Sequence, residues 1–141
     1  PLYWVHRAQA EMSGGQTLST ESTSLRTVAL ASKDAQGSVS VLIGRYSCGK
    51  TVSWCRGGVE QQLDDAPAPP IPVTVRITNL GFVTSVQAKI LRIPNQNLTG
   101  ALLQPIDMVT VTLPVTQGTA VLATPSFQDG DAYYVTIKPK N

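Results

Sequence analysis

From residue 25 onward, apolar residues recur at every second position, and turn-forming residues interrupt them at short intervals. LRTVALAS (25–32) is the first such run, KDAQG supplies a turn through Asp34 and Gly37, and SVSVLIGRY (38–46) returns. PVTVRITNLG then places Val73, Val75 and Ile77 on one side and Thr74, Arg76 and Thr78 on the other, the pattern of a half-buried strand ended by Asn79 and Gly81. VQAKILRI, MVTVTLPV, TAVLATP and AYYVTIKP follow, each bounded by Pro, Gly or Asn. With the short arms of a hairpin after Tyr46, about eight strands result, and the predicted fold is an all-β antiparallel sandwich. No repeat of fixed period is visible, which disfavours a propeller or solenoid.

Two segments depart from this rhythm. In the first dozen residues Tyr3, Trp4, Ala8 and Met12 fall near helical spacing, and Gly14 and Gly15 end the run, so 1–15 reads as a short helix or extended arm before a sandwich over 16–141. Leu2, Tyr3, Trp4 and Val5 are too dense an apolar cluster to leave in water; they are expected to pack on the sandwich or against a neighbouring domain. EQQLDDAPAPPIP (60–72) has four prolines in its last six residues, which excludes a helix or a central strand and predicts a long loop crossing between sheets.

At 141 residues the chain suits one domain with its own core. Only 14% of residues are charged, against the usual roughly 25%, and the abundance of Thr, Ser, Val and Gln suits an extracellular β protein. The net charge is +2 and the eleven Lys and Arg are scattered, so nucleic acid is not an expected partner. No apolar run approaches the roughly 20 residues that cross a bilayer as a helix, and no membrane role is expected. The opening PLYWVHRAQAEMSGG has neither an initiator Met nor the regions of a signal peptide, and reads as though cut from a longer chain. Cys48 and Cys55, with no second pair available for zinc, predict one disulfide closing the hairpin. Asn97-Leu98-Thr99 is a glycosylation sequon in a polar loop, and with the disulfide it predicts a secreted protein.

GRYSCGKT (44–51) satisfies the phosphate-loop pattern G-x-x-x-x-G-K-[ST] in full. That pattern works when a helix starts at the Lys-Thr, so that free N–H groups and the helix dipole meet the phosphates. Here VSWCRGG follows, whose β-branched and aromatic residues and paired glycines favour a short strand and a turn. The octet is therefore read as a hairpin tip and not as a nucleotide site.

YWVHRAQAEMSG, ALASKDAQGSVSVLIGRY, VTVRITNLG and FQDGDAYYVTI together resemble the C-terminal β-sandwich appended to the (β/α)8 barrel of clan A glycoside hydrolases, most nearly those similar to family 39. The resemblance implies an accessory domain. In that family the catalytic carboxylates stand on barrel strands, so it assigns no catalytic residue here; YWVHRAQAEMSG would correspond to the exit from the barrel.

The residues themselves carry little catalytic chemistry. Glycoside hydrolysis needs two carboxylates roughly 5 to 9.5 Å apart across a sugar, and the nine carboxylates here sit mostly in turns beside Gly, Pro or Ser. His6 is the single histidine, too few for a triad or a His-rich metal site. Asp129 and Asp131 with backbone carbonyls offer calcium a site, although Asp-Gly-Asp is also an ordinary turn. The aromatic residues are the better lead, because a sugar lays its C–H face on a flat ring while polar neighbours take its hydroxyls. Tyr46 and Trp54 on the two arms of the cysteine hairpin, with Arg45 and Arg56 beside them, would form such a platform; the competing reading places Trp54 in the core beside the disulfide. Tyr133 and Tyr134 point to opposite faces of one strand, so one of them is expected outward.

The sequence thus predicts a non-catalytic, secreted, carbohydrate-binding or accessory sandwich with no cofactor, whose partner is a polysaccharide or an upstream catalytic barrel. The alternative is a structural, self-associating extracellular module, favoured by the low charge and by Thr-rich strands such as MVTVTLPV that could pair edge to edge.

Overall fold

The computed structural model describes residues 2–24, 27–45, 70–81, 83–95 and 104–140. In them, α1 (Leu2–Met12) is followed by β1 (Gln16–Leu18), β2 (Thr27–Lys33), β3 (Val39–Arg45), β4 (Ile71–Ile77), β5 (Ser85–Ile93), β6 (Ile106–Pro114), β7 (Ala120–Phe127) and β8 (Ala132–Lys140). All strand pairs are antiparallel: a six-stranded sheet in the order β1-β2-β3-β8-β5-β6 faces a two-stranded sheet of β4 and β7. This is the all-β sandwich that the alternation predicts, with a helix for its N-terminal arm. β1 is an addition to the predicted strands, and the cysteine hairpin lies outside the described residues.

The local chemistry accounts for the turns. Between β2 and β3, Asp34 Oδ1 accepts the N–H groups of Gln36 at 2.9 Å and Ser38 at 2.8 Å, and Gly37 takes the left-handed conformation at φ 84°. β4 includes Pro72, which an edge strand tolerates: among the described residues β4 pairs with β7 alone. Its register shifts between Pro72 and Thr74, so the ladder skips Val73. The buried Thr124 hydroxyl repairs that gap, accepting the Val73 N–H at 3.0 Å and donating to the Val73 carbonyl at 2.8 Å.

Inward-facing residues of both sheets form one core. Val39, Val41 and Ile43 of β3, Val86, Ala88 and Ile90 of β5, and Tyr133, Val135 and Ile137 of β8 meet Ile77 of β4 and Leu122 and Phe127 of β7. At its centre the Phe127 and Tyr133 rings stack at 3.5 Å between centroids, 1° from parallel. The Tyr133 hydroxyl accepts the Gln128 N–H at 2.6 Å, so this buried ring keeps a polar partner.

The central strands β3, β8 and β5 are buried on their other face too. Leu42, Tyr134, Leu91 and Ile93 point away from β4 and β7 and are covered by α1 through Trp4, Val5, Ala8 and Met12. Both tyrosines of the pair are therefore buried, which corrects the expectation that one faces outward: helix α1 covers the second face of the strand.

Candidate functional site

Helix α1 makes the described surface with the most varied chemistry. Ala8, Gln9, Ala10, Glu11 and Met12 are good helix formers, and the turn is closed by Ser13, whose N–H and hydroxyl both donate to the Ala10 carbonyl. Gly15 then passes so close to β2 that an added Cβ would lie 2.8 Å from the Lys33 carbonyl oxygen, which leaves room for glycine alone. Positions 4, 5, 8 and 12 face the sheet at helical spacing, while Leu2 at 71% exposure and Tyr3 at 54% remain outside.

On one flank, between the helix and β5, runs a groove of about 320 Å³ lined by Trp4, Arg7, Glu11, Leu91, Gln104 and Tyr134, among others. The Arg7 guanidinium lies 5.4 Å from the Trp4 ring centroid, and its Nε is 3.3 Å from Glu11 Oε1. The Tyr3 ring meets Trp4 edge-on at 5.0 Å. Trp4 Nε1 is buried and has no acceptor among the described residues. The groove thus combines an apolar floor, an aromatic wall and an ion pair at its rim.

The Tyr134 hydroxyl under the helix donates to Ser40 Oγ at 3.2 Å. Burial pushes its pKa up, opposed by the Ser40 hydrogen bond and reinforced by Glu11; burial likewise raises Tyr133 against the Gln128 hydrogen bond. The folded state therefore favours the neutral phenols. Their contribution to stability is intact below the unfolded value of about 10 and is lost as pH rises through the folded value, because the unfolded chain releases these protons first. Tyr134→Phe is expected to make the alkaline loss of stability shallower, measured by urea unfolding at a series of pH values on both sides of the phenol range. An unchanged slope would show that Tyr134 ionises freely within the fold.

A second cluster lies where β3 and β5 end and β8 begins. Asp131, 5% exposed, accepts Arg92 Nε at 2.5 Å through Oδ2 and the Asn95 N–H at 2.7 Å through Oδ1. Gly130, at φ 79°, turns the chain so that its N–H donates to the Arg45 carbonyl at 2.8 Å, while the Arg45 N–H donates to the Asp131 carbonyl. Arg45 itself is 4% exposed, and its Nη1 donates to the Phe127 carbonyl at 2.8 Å.

These positions revise two site expectations. Arg45 is turned into the sandwich, where it ties β3 to the end of β7, and is not on the surface to meet a sugar hydroxyl. Asp131 is committed to a guanidinium and a backbone N–H, so an internal cation takes the role proposed for calcium there; Asp129 stands beside it in the turn. Among the described residues no group of three metal-ligating side chains is assembled. Tyr46, Trp54, Arg56, the Cys48–Cys55 pair and Asn97 lie outside the described residues. The sequence reading missed the groove, although a signal was present: the unbroken apolar runs Val41-Leu42-Ile43 and Tyr133-Tyr134-Val135 mark strands covered on both faces.

No family model matches the sequence, and no curated protein matches it significantly. Solved structures do match. The structure of a GH39 enzyme from Xanthomonas axonopodis pv. citri is similar over 99% of this chain and 30% of its own, with a TM-score of 0.63 and 12% identity. The structure of N2152 from Neocallimastix frontalis is similar over 81% of this chain and 24% of its own, with a TM-score of 0.56 and 17% identity. The chain spans less than a third of either protein. At these identities the likeness concerns the fold: this β-sandwich with its leading helix is related in architecture to one part of a GH39 enzyme.

Proposed function

We propose that this chain is a non-catalytic accessory β-sandwich of a secreted glycoside hydrolase, serving carbohydrate contact or the support of a catalytic barrel. The observation that carries the reading is the likeness in fold to part of a GH39 enzyme over 99% of the chain. The described carboxylates support it, since several already have structural tasks: Glu11 pairs with Arg7, Asp107 with Lys89 and Asp131 with Arg92, and Asp34 holds a turn. The exposed Leu2 and Tyr3 at the start of α1 suit contact with a neighbouring folded unit.

Within this proposal carbohydrate contact belongs to the hairpin residues Tyr46, Trp54 and Arg56, with the Cys48–Cys55 disulfide as their brace and Asn97 as a glycan acceptor. A backbone already fixed by a disulfide loses little entropy on binding, so more of the stacking energy appears as affinity. The test is retention on insoluble cellulose, xylan and chitin. The expected result is binding to at least one polymer, weakened about tenfold or more by Trp54→Ala with the melting temperature unchanged. Failure of the wild-type protein to bind any of the three, or a Trp54→Ala variant that loses its fold while its native fraction binds normally, would reject the carbohydrate role.

A further inference from the structure

The described sheet edges are not alike. β1 has only three residues, β4 carries Pro72 and Arg76, and β7 carries Pro125; each is a device that discourages another strand from pairing. β6 differs. It runs for nine residues at the end of the six-stranded sheet, and no described strand pairs with its outer edge. Its one irregularity is near its start, where the register against β5 shifts between Asp107 and Val109. From there Val109, Thr110, Val111, Thr112 and Leu113 are uncharged, in regular register with β5, and free of proline.

We propose that β6 is a self-association edge, pairing antiparallel with β6 of a second copy about a two-fold axis at Val111. This inference stands apart from the accessory role and does not depend on sugar binding. The stretch is self-complementary under such an axis. Val111 meets Val111 and Val109 meets Leu113 on the side that packs toward the core, so the apolar row continues across the junction. Thr110 meets Thr112 twice on the opposite, exposed side, where cross-strand threonines exchange hydrogen bonds. Lys140 Nζ lies 3.3 Å from Thr112 Oγ1, so each Lys140 stands beside the part of the second copy that holds Thr110 and, next to it on β5, Lys89. The outcome is a continuous sheet of two six-stranded halves, closed because the axis uses up both edges.

The test is light scattering coupled to size exclusion, or sedimentation equilibrium, over protein concentrations up to about 0.5 mM, a range that detects weak dimers. Wild type is expected to form a dimer and nothing larger. Thr110→Lys sets a cation opposite Thr112 and the second copy's Lys140, and is expected to weaken the dimer about tenfold or more. Adding Lys140→Glu to that variant should recover part of the loss, and Thr74→Lys on β4 should change nothing. Thr112→Lys, which sets a cation opposite Thr110 and the second copy's Lys89, should also weaken the dimer and serves if Thr110→Lys melts abnormally. A wild type that stays monomeric at every concentration overturns the proposal, as does a dimer indifferent to Thr110→Lys and Thr112→Lys.

Discussion

Removing residues 1–12 is expected to destabilise the sandwich by about 3 to 5 kcal/mol, the loss of two or three buried side chains together with the surface they cover. Ala8 and Met12 are buried and Trp4 and Val5 half-buried against the sheet, and their removal would leave Leu42, Tyr134, Leu91 and Ile93 facing water on adjacent strands. Two effects should follow. The melting temperature should fall by roughly 10 °C or more, as losses of this size give in a domain of this length. The uncovered patch should drive association of a kind unlike an edge-paired dimer, growing with temperature and open-ended. Thermal melts with static light scattering read both. A truncated chain that melts like the parent and scatters no more would mean that α1 rests on the sheet without stabilising it.

Asp131→Ala is the second large effect, at about 3 kcal/mol or more. It strips the Arg92 guanidinium of its carboxylate and leaves the Asn95 N–H without an acceptor, both in a partly buried corner where water replaces them poorly. Asp131→Asn keeps a carbonyl for Asn95 while removing the charge, so it should fall between wild type and alanine. Arg92→Met in the Asp131→Asn background should recover part of the loss, because the unpaired cation then goes as well. The same measurements separate an ion pair from a metal site. With Arg92 as the cation, the melting temperature is the same in calcium and in a chelator; a calcium-dependent rise that Asp131→Ala abolishes would restore calcium to this turn.

Different residues were legible to different degrees. The Asp34–Gly37 turn was readable because its cause is local: one carboxylate caps two N–H groups within four residues, and one glycine takes a positive φ. The alternation in β4 was readable because one face of that strand is covered and the other is wet. Pro72 closes a proline-rich run that reads as a loop because proline removes a ladder donor; it lies in a strand that, among the described residues, has a neighbour on one side only. The sequence alone places Arg45 beside Tyr46 as a surface cation. Its burial depends on the Phe127 carbonyl, 82 residues away along the chain.

The sequence by itself determined that this chain is built of short antiparallel strands, where most of them begin and turn, and that few of its residues can do acid–base or metal chemistry. Those properties follow from side-chain period and turn chemistry, which act over a handful of residues. Only the tertiary structure decided that β3 lies beside β8, that α1 closes the second face over Tyr134, that Asp131 belongs to Arg92, and that the uncharged stretch of β6 stands at the edge of the sheet the described residues form. The physical reason is that neighbours in a sheet are chosen by burial summed over the whole core, and many strand orders satisfy one alternating pattern. A residue's period shows that it has an inside and an outside; what covers each side is settled by elements far away in the chain.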